Sequence, residues 1–480
     1  MRNGRTAAFT GTARAAMEPP PPCLSAATPI AEAVSAMAQA SRSSVLVVDE
    51  AGRAIGILTE QDVCRRIAFR AAPNTPLGAV MTTPVLGVEA EEKLWRAVGR
   101  MRLKRLRHLP VLDGEGRPVG MLHRFETYAT ASGRLLDMLE SLASEDDEAG
   151  FARTRAAQAG LARTLLDDGV AAADVIGVVS EINLDIHRAA VARALAAAGS
   201  APPVPFTLLV MGSAGRGESF LFPDQDNGLI LGDRPDERHA EVDAWFIPFA
   251  EDLNARLAAA GFTLCKGGVM ARNPLWRKTL GEWQEQLTLW TARRTPAALL
   301  FGDIAFDFRP AWGAPEPAAA LRAHLTRALL ARPAFLAALA AEDAKFSVGL
   351  SFWGGFRDDE PGPGTRTDLK LSGLMPLVSS VRLLALHHGV AETGTRARLD
   401  ALAAQGSVSE AERRTLEAAF GLIVERMLRQ QLDDLAAGHE ASNLVDTASL
   451  ARPDRAALRD ALRAVASFQK ATIAGLTGGV

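Results

Sequence analysis

Residues 210–230 have the sequence VMGSAGRGESFLFPDQDNGLI, and this stretch decides the fold of the middle of the chain. The apolar run from Phe206 to Met211 leads into it and predicts a buried strand. A Gly-Ser turn follows at Gly212 and Ser213, and two aspartates separated by one residue come next. A strand, a glycine-rich turn and paired carboxylates in this order predict a site for phosphate chemistry at the end of a sheet strand.

The paired carboxylates are Asp224 and Asp226. In extended backbone alternate side chains share a face, so both aspartates point the same way and Gln225 points to the other side. Two anions side by side are costly unless a cation lies between them, and carboxylate oxygens suit Mg²⁺ or Mn²⁺ carrying a nucleoside triphosphate. The pair is therefore predicted to bind a metal.

The turn before the pair is predicted to bind phosphate. Glycines let backbone N–H groups approach phosphate oxygens, a serine hydroxyl can donate, and an arginine supplies positive charge. The predicted nucleotide-binding residues are Gly212, Ser213, Arg216, Glu218 and Lys266. No GxxxxGK[ST] motif follows, which disfavours a P-loop ATPase.

Two lysines leave alternatives open at this point. Lys266 precedes two glycines, so a triphosphate contact and a solvated glycine turn are equally good interpretations. Lys370 could reach the nucleotide from the start of the helical region, but base rates favour a surface lysine.

A third carboxylate is expected, because two-metal phosphoryl transfer uses one to hold a second ion and activate the attacking hydroxyl. Asp307 is the candidate, since it lies among bulky apolar residues on a strand predicted over Ile304–Phe308. Asp303 is the weaker alternative. Asp224, Asp226 and Asp307 are thus the predicted catalytic and metal-binding residues.

The N-terminal region repeats a helix, a strand, a turn and a second strand after about sixty residues. The first copy has strands at Ser44–Asp49 and Ala54–Leu58, and the second at His108–Leu112 and Pro118–Leu122. From about residue 317 onward the pattern is helical. The chain of 480 residues thus has room for roughly three domains.

Composition narrows the possible surroundings and partners. A formal charge of −3 gives no field that would gather nucleic acid or an anionic membrane. The three cysteines form no CxxC pair, and no apolar run is long enough to cross a bilayer. We therefore expect a cytoplasmic protein without nucleic-acid or membrane partners.

At residues 212–227 the sequence resembles the DNA polymerase beta nucleotidyltransferase superfamily. It looks most like the nucleotidyltransferases related to the uridylyltransferase that modifies the PII signalling protein. The resemblance implies transfer of a nucleoside monophosphate from a nucleoside triphosphate to an acceptor, with C-terminal helices that bind substrate. It extends to residues 265–274 and 306–309.

The N-terminal repeats resemble a pair of CBS domains, which bind adenosine nucleotides and associate as homodimers. Thr59 and Asp62, in the stretch Gly56–Asp62, match the positions that contact phosphate and ribose. In the second repeat His123 and Glu126 take the places of the Thr and the Asp, so one cleft is expected to be altered or empty.

The resulting fold class is multidomain α/β plus α. Expected are a flexible segment at 1–18, an α+β CBS pair at 19–130 with repeats at about 19–72 and 73–130, a polymerase-beta-type domain with a mixed sheet and a helical lead-in at 131–312, and a helical substrate-binding domain at 317–480.

The function expected from sequence is a CBS-regulated, Mg²⁺-dependent nucleotidyltransferase in signalling, acting on a protein or small-molecule acceptor. Two rivals stay open. One is a non-catalytic regulatory protein that senses nucleotide, because the presence of the carboxylates is not activity. The other is a transferase of the antibiotic-modifying kind, which would prefer small molecules with hydroxyl groups.

Overall fold

The computed structural model describes residues 11–67, 70–104, 106–123, 148–351, 354–359 and 366–478. It falls into two compact units, residues 1–157 and 158–480.

The first unit contains two three-stranded sheets of the same design. In each sheet the first strand runs parallel to the second, and the second runs antiparallel to the third. This confirms the repeat expected from the sequence. Its elements are α1 (Ala13–Ala16), β1 (Cys23–Ser25), α2 (Ile30–Ala40), β2 (Ser44–Val48), β3 (Ala54–Thr59), α3 (Glu60–Asp62), β4 (Val88–Glu89), α4 (Leu94–Leu103), β5 (His108–Leu112) and β6 (Pro118–His123).

The second unit begins with long helices, continues through a four-stranded sheet and ends in helices. Its first half comprises α5 (Glu148–Asp167), which starts before the unit boundary, α6 (Ala172–Ala198), β7 (Phe206–Met211), α7 (Gly212–Arg216), β8 (Asn227–Leu231), α8 (His239–Ala259), β9 (Arg277–Thr279), α9 (Leu280–Ala292), α10 (Pro296–Ala305) and β10 (Phe308–Trp312). Its second half comprises α11 (Glu316–Leu330), α12 (Pro333–Asp343), β11 (Arg366–Asp368), α13 (Met375–His387), α14 (Thr395–Ala404), α15 (Glu410–Ala436), β12 (Leu444–Asp446) and α16 (Arg452–Thr477).

The four-stranded sheet has the order β10-β7-β8-β9. Only β8 and β9 run parallel; the other neighbours are antiparallel. Every residue of β7 is buried, which confirms the predicted buried strand. Met211 pairs with Phe308, and Val210 pairs with Asn227. The end of β7 therefore lies between the first residues of β8 and β10, and the three chain segments meet there.

The prediction of a strand over Ile304–Phe308 is wrong. Instead α10 continues to Ala305, and β10 begins at Phe308. Thr295 caps this helix by accepting from Ala298 N, and a proline occupies its first turn, so its start is well specified. Asp307 consequently lies in the short link between helix and strand.

Among its described residues, the C-terminal region is helical apart from one small sheet. Its strands β11 and β12 pair antiparallel, with Thr367 opposite Val445. Both partners are short, at three residues each, which is why periodicity alone missed them. Strand β11 leads directly into the turn at Lys370–Leu374 and then into α13.

One hydrophobic core joins the sheet to the helices that follow it. Buried side chains of β7 pack in the same cluster as residues of α9, α11, α12 and α13, among them Leu209, Trp283, Leu325, Phe335 and Leu383. The sheet and the C-terminal helices are therefore held at fixed positions relative to each other, and a cleft between them has stable walls.

Candidate functional site

A cleft of about 280 Å³ lies between the sheet and the C-terminal helices of the second unit. The sheet side contributes the glycine-rich turn and both aspartates, and the helical side contributes residues of α13, α15 and the segments around β11 and β12. Its lining is Ile176, Gly212, Ser213, Arg216, Glu218, Phe220, Phe222, Pro223, Asp224, Asp226, Ile304, Lys370, Leu374, Met375, Val378, Ser379, Arg382, Phe420, Gln431, Ala441 and Asn443. The cleft thus brings together most of the residues predicted from the sequence.

Two positions of the glycine-rich turn require glycine. Gly212 has φ +58°, and a Cβ there would lie 2.9 Å from Asp226 Oδ2. A Cβ on Gly215 would lie 2.2 Å from the backbone oxygen of Asp307. Gly212 is therefore required by its positive φ and Gly215 by the close approach of the Asp307 backbone, and the two glycines place α7 against β10 and beside the aspartates.

The aspartate pair has the alternation expected of extended backbone. Asp224 and Asp226 both line the cleft. Gln225, between them, is fully buried on the other side, where its amide donates to the carbonyl oxygens of Asn254 and Phe262. Because these bonds anchor Gln225, the segment holds its two carboxylates toward the cleft.

Asp226 is the electrostatically unusual member of the pair. Its pKa is raised to about 6, chiefly by burial and also by the negative charge of Asp224. The Cys265 thiol, which donates a hydrogen bond to the carboxylate, opposes this rise, as do the charges of Lys370 and Arg216. Burial and Asp226 together raise the pKa of Cys265 to about 11. A bound cation would stabilise the charged form of a partly buried carboxylate that lies beside a second carboxylate.

Asp307 is not brought to the cleft. It is fully buried, and three arginines surround it. Its Oδ1 accepts from Arg398 Nη2 at 2.6 Å, and its Oδ2 accepts from Arg216 Nη1 at 2.8 Å and Arg382 Nη1 at 3.3 Å. Although burial favours the neutral acid, the three guanidinium groups hold the pKa of Asp307 well below its usual range. Asp307 is therefore the counterion of these arginines, and its role as a metal ligand stays a prediction from the sequence. The side chain of Asp303, the alternative, lies outside those that the structure describes.

Glu218 lines the cleft and also accepts hydrogen bonds from both halves of the unit. It accepts from Arg216 Nε at 2.8 Å, from Thr395 N at 2.5 Å and from Thr395 Oγ1 at 3.1 Å. Thr395 begins α14, so this carboxylate ties the glycine-rich turn to the helical half. Arg216, Arg382 and Arg398 carry three positive charges against the two negative charges of Asp307 and Glu218, so this cluster has a net charge of +1. Asp224 and Asp226 add two negative charges to the lining of the same cleft.

The two lysines are placed differently from each other. Lys266 is exposed and is absent from the described lining of the cleft. Lys370 lines the cleft and lies near enough to Asp226 to lower its pKa. The sequence favours a surface role for Lys370, because no local pattern indicates that the segment after β11 brings this lysine to the cleft. Arg382, Gln431 and Asn443 were missed for the same reason.

The donor set of the cleft fits a magnesium-bound polyphosphate. Mg²⁺ is commonly held by one or two carboxylates together with substrate phosphates and water, and Asp224 and Asp226 supply two carboxylates. Within the described ranges no group of three or more His, Cys, Asp or Glu side chains is arranged to hold a metal by itself. The remaining ligands would thus come from the nucleotide.

In the first unit, Thr59 and Asp62 form a reciprocal cap at the end of β3. Thr59 Oγ1 donates to Asp62 Oδ2 at 2.7 Å, and Asp62 N donates to Thr59 Oγ1 at 3.3 Å. Arg66 pairs with the same carboxylate at 3.1 Å. The two residues therefore present a hydroxyl and a carboxylate together at a strand-to-helix junction.

The equivalent place in the second repeat is built from histidines. His123 lies opposite His108 in the β5–β6 pairing, with ring centroids 5.1 Å apart. His108 also hydrogen-bonds Ser43 of the first repeat at 2.7 Å, and burial lowers its pKa to about 4. Glu126 lies outside the described residues.

Among the helices that the structure describes, none combines the length and the apolar character of a membrane span.

Family models match three parts of the chain. The model described as "Putative nucleotidyltransferase DUF294" matches residues 156–297, and "Putative nucleotidyltransferase substrate binding domain" matches residues 333–474. The CBS domain model matches residues 13–69 and 77–126. The resemblances drawn from the sequence are thereby confirmed at the level of domains.

Similar proteins cover only a part of the chain. An uncharacterized protein of Methanocaldococcus jannaschii is 30% identical over 101 residues, which are 21% of this chain and 24% of that protein. A mitochondrial CBS domain-containing protein of Arabidopsis thaliana is 34% identical over 97 residues, 19% of this chain and 47% of that protein. The chain spans between 24% and 56% of the length of the curated relatives it matches.

Similar solved structures include a CBS domain pair in complex with 5′-methylthioadenosine and S-adenosyl-L-methionine. It is 21% identical, covers 25% of this chain and 93% of that one, and has a TM-score of 0.23. The structure of CBSX2 in complex with AMP is 20% identical, with the same coverages and a TM-score of 0.22.

Proposed function

The chain belongs to the DUF294 family, with CBS domains at its N-terminus, and we propose that its cleft binds a nucleoside triphosphate and transfers the nucleoside monophosphate to a hydroxyl group of an acceptor. The observation that carries this proposal is the convergence of two carboxylates, a glycine-rich turn and basic side chains on one cleft. Such a set matches the charge pattern of a magnesium-bound triphosphate.

Each group has a distinct part in the proposed reaction. The N–H groups at Gly212 and Ser213 and the charges of Arg216, Arg382 and Lys370 hold the triphosphate. Asp224 and Asp226 would hold Mg²⁺, which when bound neutralises charge on the phosphates. The acceptor oxygen forms a bond to the α-phosphorus, the bond to the leaving pyrophosphate breaks, and the hydroxyl proton passes to solvent.

In this proposal Asp307 positions Arg216 and Arg382 and never touches the substrate. Both arginines line the cleft while their guanidinium groups are bound to the buried carboxylate. Such support restricts the rotamers of long side chains, and pre-organised donors stabilise developing charge more effectively than mobile ones.

The CBS pair is proposed to be the regulatory site. Thr59 and Asp62 offer a hydroxyl and a carboxylate side by side, which suits the phosphate and ribose of an adenosine nucleotide, and solved CBS proteins have been described with such ligands. Binding of AMP or ATP that is lost in Thr59→Ala/Asp62→Ala, together with a change in transferase activity, would support the proposal. Unchanged activity and nucleotide response in that variant would contradict it.

The decisive experiment measures pyrophosphate release. Each of the four ribonucleoside triphosphates is offered with Mg²⁺ and an extract of the source cells, to the natural protein and to Asp224→Ala/Asp226→Ala. Release that disappears in the double variant supports a transferase, and labelled nucleotide then identifies whether the acceptor is a protein or a small molecule.

A non-catalytic nucleotide sensor is the second candidate. It is favoured by the position of Asp307, because the carboxylate expected to activate the acceptor is bound to arginines instead. Equal pyrophosphate release from both proteins, with nucleotide binding retained by the natural one, would support the sensor.

A further inference from the structure

The helical wall of the cleft carries a buried amide whose hydrogen bonding is incomplete. Gln431, on α15, lines the cleft yet is only 6% exposed. Its Nε2 donates to Asn443 Oδ1 at 3.0 Å. Its Oε1 is buried and has no hydrogen-bond partner among the described residues. Buried polar atoms are nearly always paired, so an unpaired carbonyl oxygen on a residue that lines the cleft points to a donor that a ligand brings.

The surroundings hold this amide in one orientation. Asn443 is fixed through its own backbone, because its carbonyl oxygen accepts from Leu369 N at 3.1 Å. The Gln431–Asn443 bond thereby connects α15 to the segment that pairs with β11. An acceptor held this rigidly selects partners by direction, since little side-chain entropy is lost when the partner binds.

Apolar side chains line the cleft together with the amide. Ile176, Val378 and Phe420 are almost completely buried, whereas Phe222 is 50% exposed beside the aspartate pair. Apolar and aromatic walls with one directional polar atom are the usual setting for a flat heterocycle. The groups that suit phosphate come from other elements of the chain, namely α7, the turn at Lys370–Leu374 and the middle of α13.

We infer that Gln431, held by Asn443, recognises the base of the bound nucleotide by accepting a hydrogen bond from an N–H group on the edge of that base. This inference rests on the proposed function and names the residue that determines its nucleotide preference. A site that pairs a base donor with a buried acceptor disfavours bases that place an acceptor there, because two lone pairs would then face each other.

The test is equilibrium binding to the full chain with Mg²⁺, using α,β-methylene analogues of the four ribonucleoside triphosphates, which are not turned over. Inorganic tripolyphosphate serves as the ligand without a base. The variants are Gln431→Leu, which removes the acceptor, and Gln431→Glu, which keeps one. Gln430→Leu is the matched control, because Gln430 is the neighbour on α15, bonds only Asp434 in the described contacts and does not line the cleft.

We expect Gln431→Leu to lose about tenfold in affinity for the preferred analogue while tripolyphosphate binds as before. Gln431→Glu is expected to keep the order of preference among bases, and Gln430→Leu to behave as the natural protein. An unchanged base preference in Gln431→Leu, or an equal loss for tripolyphosphate, would overturn the inference. If the natural protein itself bound no analogue, the proposed function would fail along with it, so the two failures are distinguishable.

Discussion

Arg398 Nη2 lies 2.6 Å from Asp307 Oδ1, and both side chains are almost completely buried, although Arg398 comes 91 positions after Asp307 in the chain. Asp307 belongs to the link between α10 and β10, whereas Arg398 belongs to α14. The pair therefore joins the sheet to the C-terminal helices through a buried charge, and two further arginines share it.

Replacing Asp307 by Ala is expected to lower the free energy of unfolding by about 3–5 kcal/mol, because three guanidinium groups lose their counterion in a buried place. Denaturation in urea would measure this. Asp224→Ala is the matched control, since Asp224 is exposed and its loss should cost little stability. If the Asp307→Ala protein were as stable as the natural one but unable to bind Mg²⁺, Asp307 would instead be a metal ligand.

Gly215→Ala is expected to destabilise the protein by about 1–3 kcal/mol, because the added methyl group meets the backbone of Asp307 at 2.2 Å and cannot move it aside. Gly421→Ala is the control, since Gly421 lies within α15 with open space around it and should gain about 0.5–1 kcal/mol. Thermal and urea unfolding of both variants would check the difference. Equal effects would argue against the close packing of α7 on β10.

Binding of a magnesium nucleotide is expected to weaken as the pH falls below about 6, because Asp226 takes up a proton there and a neutral acid is a poor metal ligand. Above that pH the affinity should level off. Cys265→Ala removes a donor to the carboxylate, so the midpoint should move to higher pH. Titrations of affinity between pH 5 and 8 would measure both, and a midpoint unmoved in Cys265→Ala would contradict the hydrogen bond.

The same pKa shift has a consequence for stability whose sign is fixed. The pKa of Asp226 is raised above its value in the unfolded chain, so the folded state binds the extra proton. The contribution of Asp226 to the free energy of unfolding therefore falls as the pH rises from its pKa in the unfolded chain to its pKa in the folded protein. Asp226→Asn should remove that part of the pH dependence.

Lys370→Met is expected to weaken triphosphate binding by about tenfold to a hundredfold, as it removes a charge that lines the cleft. Lys266→Met is the matched control, because Lys266 lies outside the described lining and should change affinity little. Equal losses in both variants would mean that binding depends on the overall field near the cleft rather than on contact with Lys370.

Much of this fold can be predicted from local sequence patterns. The features that these patterns do not predict depend on contacts between residues far apart in the chain. The apolar run at Phe206–Met211 and the alternation around Gln225 predicted a strand and the direction of two carboxylates, because both follow from backbone geometry within a few residues. A charge among apolar neighbours suggests function, and for that reason the sequence predicts Asp307 as a metal ligand. Its arginine partners come from 91 residues before it and from 75 and 91 residues after it, and no local pattern contains them.

The buried charge cluster also bears on how such proteins evolve. The two domain matches end at residue 297 and resume at residue 333, so Asp307 and β10 fall between them, while the arginines are divided between the two sides. Recombination that separated the halves would leave guanidinium groups without their counterion and would remove the edge strand β10 from the sheet. We therefore expect the two halves to be inherited together, as a single unit of descent, whatever domains are exchanged in front of them.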